Sequence, residues 1–347
     1  MQFNDAAEIH AALTEAGIDP HFAEQLSQRA RPAVWLRTDL VADDSEITVG
    51  TTKIGGCPDL PPGSSWPHRS AYPNAAKLSE SHRRSAATAD SELKWAKSAE
   101  ECEQYREEAR QRVHSIENPF PLGFLAQINL ADIWAAGPVD EDLPRSGLIS
   151  IFYDCVQQPW GYDPQENVGY AIQFHETQTL TRLSMPQPLL DLPAYYRIHA
   201  TACEPFACMT PLPAHTAEFQ ELGLPEEVAD AFYDWWMDDA ELSSTEGGED
   251  WACHHVGGWP TPVQQDMQVR AALVAAGHYC GNSDAYRNPD LQGIRDTACQ
   301  WLLLAQIGSD EKSGLAWGDS GQVYVWIRRD DLQARRFERV QVILQCY

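Results

Sequence analysis

Three short motifs occur twice in this chain, and both copies keep the same order. Each set begins with two adjacent glycines near a proline, continues with the tetrapeptide Leu-Ala-Gln-Ile, and ends with a Ser-Gly step into an aromatic, β-prone run. A shared order of three motifs predicts two related halves. We therefore interpret the motifs first as structural elements of the fold and only then as possible functional sites. The copies lie at 55–56, 125–128 and 146–153, and again at 257–258, 304–307 and 320–327.

The tetrapeptides lie inside apolar runs of strand length, at 124–128 and 302–307. Short continuous apolar runs of this kind favour strands that are buried on both faces, and a buried helix is the alternative that periodicity alone leaves open. The segments 148–153, 322–327 and 168–174 are further predicted strands. The sequence therefore predicts an α+β chain with a duplicated β body.

Helical patterns lie outside these runs and set the expected domain boundaries. Residues 75–116 contain no Gly or Pro and predict one or two exposed helices inserted in the first half. The glycine pair and the tetrapeptide are farther apart in that half, as such an insertion requires. We expect an N-terminal helical segment at 1–46, a first half at 47–183 with its insertion at about 75–116, a Pro-rich linker with an acidic helical segment at 184–250, and a second half at 251–347.

Composition narrows the classes of partner. The formal net charge is −26 and the sequence pI is about 4.6, which disfavours nucleic acid and anionic membranes and favours a basic partner. The alternative is that the acidic surface only keeps the protein soluble and serves no partner. The nine cysteines include no CxxC pair, and the N-terminus lacks a basic, apolar leader, so we expect a reduced protein of the cytoplasm.

No motif in the chain specifies a reaction. There is no G-x-S-x-G nucleophile motif and no phosphate-binding loop, so we predict no catalytic residues, no cofactor and no enzyme activity. The turn-like segment 317–321 either closes a hairpin or displays a carboxylate beside an indole. Cys253, His254, His255, His278 and Cys280 could bind zinc; the alternative is a buried strand with a hydrogen-bonded histidine, and no metal site is assigned.

An acidic cluster near residue 240 is the best candidate for a partner-binding surface. Aromatic side chains flanked by carboxylates are good anchors against a basic protein. The alternative is an amphipathic helix that buries both tryptophans and exposes solvated acids. The predicted partner-binding residues are Asp234, Trp235, Trp236, Asp238, Asp239, Glu241, Glu246, Glu249 and Asp250.

Together these segments resemble the YwqG-like proteins, a bacterial family with a domain of unknown function. The resemblance runs from about residue 47 to the C-terminus; the helices before it and the segment 75–116 depart from it. It implies antiparallel sheets with peripheral helices in a duplicated arrangement, and no catalytic residues. The matching segments are Lys53–Pro61, Phe124–Leu130, Gly147–Asp154, Gly257–Gln264 and Trp317–Gly321.

Some members of that family are found beside secreted polymorphic toxins and resemble their immunity proteins. We therefore expect an immunity protein that occludes a cognate, basic toxin, for example a nuclease, by direct contact. A metal- or ligand-binding enzyme of unspecified reaction is the alternative, and a structural adaptor with an unrelated basic partner is a third interpretation.

Overall fold

The computed structural model describes residues 3–92, 98–176, 179–245 and 254–347, with side chains for all of these except 89–92 and 238–245. The helices are α1 (Ala6–Glu15), α2 (Pro20–Ser27), α3 (Ala75–Glu92), α4 (Ala99–Glu117), α5 (Leu130–Ala136), α6 (Gln187–Leu190), α7 (Ala217–Gln220), α8 (Glu226–Thr245), α9 (Gln268–Ala275), α10 (Asp284–Arg287), α11 (Gln292–Arg295) and α12 (Arg329–Gln333). The strands are β1 (Arg31–Leu40), β2 (Lys53–Ile54), β3 (Asp59–Leu60), β4 (His68–Arg69), β5 (Phe120–Pro121), β6 (Gly123–Asn129), β7 (Leu148–Tyr153), β8 (Tyr170–His175), β9 (Thr181–Arg182), β10 (Thr201–Thr210), β11 (His255–Gly257), β12 (Trp301–Gly308), β13 (Gln322–Arg328) and β14 (Gln341–Gln345).

Ten of these strands form one antiparallel sheet that curls into a nearly closed barrel. Its order is β14-β13-β12-β11-β1-β10-β2-β6-β7-β8. On both sides of the central pair β1 and β10, the strands carry the repeated motifs in the same order. Next to the pair lies the strand at a Gly-Gly pair (β2 or β11), followed by the Leu-Ala-Gln-Ile strand (β6 or β12). The strand after Ser-Gly (β7 or β13) and an edge strand (β8 or β14) complete each side. The fold class predicted from the sequence, a duplicated antiparallel body with peripheral helices, is confirmed.

The tetrapeptide strands share an irregularity as well as a position. The pairing of β6 with β7 shifts register between Phe124 and Ala126, and that of β12 with β13 shifts between Leu303 and Ala305. In both halves the shift lies at the leucine that opens Leu-Ala-Gln-Ile. A bulge adds a residue to one strand and bends it locally, so the repeated bulge curves both sides of the barrel in the same way.

The two central strands come from segments that the sequence analysis placed outside the body. β1 lies in the predicted N-terminal helical segment 1–46, and β10 lies in the predicted linker 184–250. Both contain a proline that faces the partner strand, Pro32 opposite Met209 and Pro205 opposite Leu36. Proline cannot donate a ladder hydrogen bond and is normally confined to sheet edges, which is why a central strand was not expected here.

The helices begin where the local signals predict. Asp5 caps α1 by accepting from the amide of Glu8, and Asp19 caps α2 with Pro20 in its first turn. The inserted segment forms two antiparallel helices, α3 and α4, and a capping box between Ser98 and Glu101 starts α4. Within the described residues, no helix is long and apolar enough to cross a membrane.

The principal core fills the barrel and draws on both halves. Ile149 and Ile151 of β7 belong to the same cluster as Val323 and Val325 of β13, and all four are at most 1% exposed. The outer faces of these strands are buried too, because loops cover β7 and α9 covers β13. The two halves therefore share one interior, in which neither can bury its sheet alone.

Candidate functional site

Helix α8 carries the predicted acidic partner-binding segment, and one of its faces packs into the protein. Phe232 and Trp236 are 1% and 5% exposed and belong to a cluster with Ile9 and Leu13 of α1. Trp235 is partly buried against the same cluster, with its ring centroid 5.3 Å from that of Phe232. Trp236 is therefore a core residue of the helical layer.

The opposite face of α8 is exposed and predominantly acidic. Tyr233 and Met237 are each 40% exposed, and the exposed carboxylates of Asp230 and Asp234 lie one turn before them. Residues three and four apart share one helix face, so these side chains form one continuous surface, which we call the acidic face. Its members are Glu226, Glu227, Asp230, Tyr233, Asp234 and Met237.

The structure brings only part of the predicted set together. Asp234 lies on the acidic face, Trp235 at its border and Trp236 beneath it. Asp238, Asp239 and Glu241 belong to α8, but their side chains lie outside the described residues, and so do Glu246, Glu249 and Asp250 altogether. The helical spacing of Val228, Phe232 and Trp236 was the sequence signal for the buried face.

A buried ionic network surrounds the first Gly-Gly pair. Lys53 is fully buried, and its Nζ donates to Asp44 Oδ1 at 2.6 Å. Arg182 donates to both carboxylate oxygens of Asp59, at 2.8 and 3.1 Å, and lies 3.2 Å from Asp44. Asp59 also accepts from the side chain of Gln127, the glutamine of the first tetrapeptide, at 2.7 Å. The network therefore joins the loop after the glycines to the sheet.

The ionisation of this network follows from burial and its hydrogen bonds. Burial lowers the pKa of Lys53, and the adjacent Asp44 offsets part of that effect. Burial alone would raise the pKa of Asp59, but the hydrogen bonds from Arg182, Gly50 and Gln127 outweigh it and hold the pKa below its ordinary value. Two cations face two carboxylates, and the contacts of the carboxylates are all with donors. We call this arrangement a structural lock, because it fixes the loop after the glycines to the sheet.

The second half builds the same lock without charge. Thr261 stands four residues after the first glycine of its pair, as Asp59 does. The amide of Thr261 donates to the side-chain oxygen of Gln306 at 2.9 Å, and that of Asp59 donates to Gln127 at 3.0 Å. The repeated glutamine thus holds the loop after the glycines in both halves. Sequence reasoning missed this role, although the repeated order of glycine pair and tetrapeptide was its signal.

The family relation rests on these repeated parts. The family model described as a domain of unknown function (DUF1963) matches residues 52–346. The chain belongs to the DUF1963 family. The matched range contains both glycine pairs and both tetrapeptides, so the expected membership of a family of unknown function is confirmed. None of the curated proteins matches the chain.

Two of the histidines of this DUF1963 protein that were considered as metal ligands, His254 and His255, lie in the sheet interior, whereas His278 follows α9 and is only partly buried. His254 and His255 are both 0% exposed. The amide of Gly308 donates to His254 Nδ1 at 3.2 Å, and His255 Nδ1 donates to the carbonyl of Gly257 at 3.0 Å. Among the described residues, which exclude Cys253, no three His, Cys, Asp or Glu side chains are grouped closely enough to hold a metal ion. The geometry matches the hydrogen-bonded strand.

The segment 317–321 forms the turn that precedes β13. The amide of Gly321 donates to the carbonyl of Trp317 at 2.9 Å, and Ser320 adopts a left-handed conformation with φ of 45°. Trp317 is 1% exposed and its ring meets that of Tyr153 edge to face, with centroids 5.5 Å apart. The turn therefore attaches the second half to the end of β7 in the first half.

We expect the buried His255 to make the stability of this DUF1963 protein sensitive to acid. Burial lowers its pKa to about 4, so between about pH 4 and 6.5 the folded protein binds fewer protons than the unfolded chain. The stability that depends on neutral His255 is therefore fully present above about pH 6.5 and is lost as the pH drops through this window. Between pH 7 and pH 4.5 the unfolding free energy should fall about 2 kcal/mol more in the wild type than in His255→Gln, as measured by urea denaturation.

The opposite behaviour of Asp266 makes this comparison between variants necessary. Burial raises the pKa of Asp266 to about 6, so its contribution rises as the pH falls from 6 toward 4 and partly masks that of His255 in the wild type. The difference between wild type and His255→Gln removes the contribution of Asp266, which both share. Equal pH profiles for the two proteins would contradict the prediction.

Proposed function

We propose that this DUF1963 protein is an immunity protein of the cytoplasm that binds a basic toxin domain through the acidic face of α8 and blocks it by direct contact. The observation that carries the proposal is the placement of exposed Tyr233 and Met237 among Glu227, Asp230 and Asp234. The resemblance to the YwqG-like proteins, some of which resemble toxin-immunity proteins, supports the same function.

Charge supplies the long-range part of this recognition. A net charge of −26 gives a negative potential that accelerates the approach of a basic protein and repels nucleic acid. Complementary charge mainly raises the association rate and selects the partner. Such selectivity suits an inhibitor that must find one toxin quickly in a cell.

Aromatic and thioether side chains supply the short-range part. Tyr and Met are enriched in interfaces, where anchors ringed by polar groups contribute most of the affinity. Tyr233 also packs against His215, with ring centroids 5.3 Å apart, which limits the entropy lost when a partner covers it. Phe232 and Trp236 hold the helix to the body, so the acidic face is presented on a fixed support.

The test is a pull-down with tagged protein from native lysate of the source organism, using three proteins. Wild type should capture one basic protein in stoichiometric amount. The triple variant Glu227→Gln, Asp230→Asn, Asp234→Asn should lose it, because these exposed acids form the centre of the acidic face. The control variant Glu15→Gln, Asp290→Asn, Glu311→Gln removes the same charge from exposed positions elsewhere and should keep it.

The salt dependence of the association rate with the captured partner distinguishes electrostatic steering from nonspecific binding. We expect its association rate with wild type to fall steeply as ionic strength rises, because exposed charges are screened beyond about 8 Å at physiological salt. The triple variant should show a flatter dependence than the control variant. A rate that does not change with salt, or equal capture by all three proteins, would contradict the proposal.

A further inference from the structure

A cleft of about 350 Å³ opens where the two halves meet, away from α8. Its wall includes the loop after β7, the segment 195–198 and the loop 314–318 that leads into the Trp317 turn. Trp160 and Tyr195 line it and are 38% and 56% exposed, and Tyr196 lies beside Tyr195 with ring centroids 4.4 Å apart. The volume is at the lower end of the range typical for small-molecule sites.

Arg112 of α4 provides the cation in this cleft. Its Nε donates to the hydroxyl of Tyr196 at 2.8 Å, and its guanidinium lies 5.7 Å from the centre of that ring. Glu108, one helical turn earlier, accepts from the side chain of Gln104 at 3.3 Å instead of pairing with Arg112. Among the described residues, the two terminal amino groups of Arg112 therefore have no hydrogen-bond partner, and no carboxylate pairs with it. In so acidic a protein, an oriented guanidinium in a cleft indicates an anionic ligand.

The floor of the cleft contains a backbone outlier. Gln158 has φ of 49°, the left-handed region that residues other than glycine seldom adopt, and its amide nitrogen donates to the carbonyl of Ala316 at 3.1 Å. The side chain of Gln158 thereby bridges the two halves, and its side-chain carbonyl oxygen can accept from another donor. Gln157 lines the cleft beside it. Amide groups next to aromatic faces can bind the polar edge of a planar ring.

We propose that this cleft is a binding site for a nucleoside monophosphate. The terminal amino groups of Arg112 would hold the phosphate in a bidentate geometry, the rings of Trp160 and Tyr195 would stack on the base, and the amides of Gln157 and Gln158 would meet its edge. This site is independent of the acidic face and of any protein partner. The inserted helix α4 supplies the phosphate contact.

The test is isothermal titration of the purified full chain with the four ribonucleoside monophosphates, the matching nucleosides and inorganic phosphate. At least one monophosphate should bind with a Kd below about 1 mM. Its nucleoside and inorganic phosphate should each bind at least tenfold more weakly, because each keeps only part of the contacts. If none of the four monophosphates binds to the folded protein, or if inorganic phosphate binds as tightly, the proposal is overturned.

Two matched variants locate the site. Arg112→Gln should weaken binding of the monophosphate by about tenfold or more, as expected for the loss of a charge-assisted hydrogen bond. Arg110→Gln lies on the same helix, but its guanidinium pairs with Glu103 and Glu107 outside the cleft, so its affinity should stay unchanged. The monophosphate should also change the tryptophan fluorescence of the wild type, and Trp160→Ala, at the exposed rim, should weaken binding and reduce that change. Equal affinity in Arg112→Gln and Arg110→Gln would place the ligand elsewhere.

Discussion

Replacing Asp59 by asparagine is expected to lower the unfolding free energy by about 3 to 5 kcal/mol, the cost of breaking a buried ion pair by removing one partner. All the side-chain contacts of Asp59 are donors: Arg182, the amide of Gly50 and the side chain of Gln127. An asparagine of the same shape would direct its own amide hydrogens at one of them. The charges of Arg182 and Lys53 would then face Asp44 alone.

The second half offers the matched control for this change. Thr261 occupies the position of Asp59, and its hydroxyl accepts from Gln306 at 2.6 Å. Thr261→Val should cost only about 1 kcal/mol, because Gln306 also donates to Gln322 and no charge is left unpaired. Urea denaturation at pH 7 measures both values. A loss below about 1 kcal/mol in Asp59→Asn, or equal losses in the two variants, would show that the network is not a structural lock.

Replacing Gly55 by alanine is expected to cost about 3 kcal/mol, from left-handed strain and from overlap together. Gly55 has φ of 65°, and a Cβ built on it would lie 2.3 Å from the carbonyl oxygen of His199. That oxygen belongs to the backbone of the segment leading into β10, the central strand, so it cannot move aside cheaply. The change should therefore strain the centre of the sheet.

Gly257 provides the comparison, since it repeats the conformation without the crowding. Its φ is 70°, but the nearest atoms to an added Cβ belong to Val139, at 3.7 Å. Gly257→Ala should thus cost only the left-handed strain, about 1 to 2 kcal/mol. Melting temperatures and urea midpoints of both variants give the difference. If Gly257→Ala were as damaging as Gly55→Ala, the close approach at His199 would not be the cause.

Much of the fold followed from the sequence because its signals are local and repeated. The strands at 124–128, 148–153, 302–307 and 322–327, and the inserted helices, were predicted within a few residues. Apolar runs, caps and turn residues act over a few positions and can be recognised without knowledge of the tertiary structure. The repeated motif order then indicated that the halves match.

The central pair of strands could not be predicted in the same way. β1 and β10 have weak strand patterns and contain prolines. They are stabilised by pairing with each other and with the strands β2 and β11, and by side chains that pack into the hydrophobic clusters. Position in a sheet depends on the whole topology, which propensity does not describe. For the same reason the domain boundaries drawn at 46 and 184 separate strands that lie side by side.

The candidate sites were predictable only in part. Acidic residues of α8 were visible in the sequence, but the burial of Trp236 depends on the packing of α8 against α1. The Asp59 network joins residues 44–59 to Gln127 and Arg182, which lie far away in the chain, and Arg182 carries no local motif. The cleft is formed by loops of both halves and by Arg112 of the insertion, so no single window of sequence contains it.

Growth of cells that express the captured partner tests the proposed immunity most directly. Co-expression of the wild-type protein should restore growth, and so should the control variant Glu15→Gln, Asp290→Asn, Glu311→Gln. The triple variant Glu227→Gln, Asp230→Asn, Asp234→Asn, produced at the same level, should leave the cells inhibited, because it lacks the centre of the acidic face. Full protection by the triple variant, or a partner that does not inhibit growth on its own, would contradict the account.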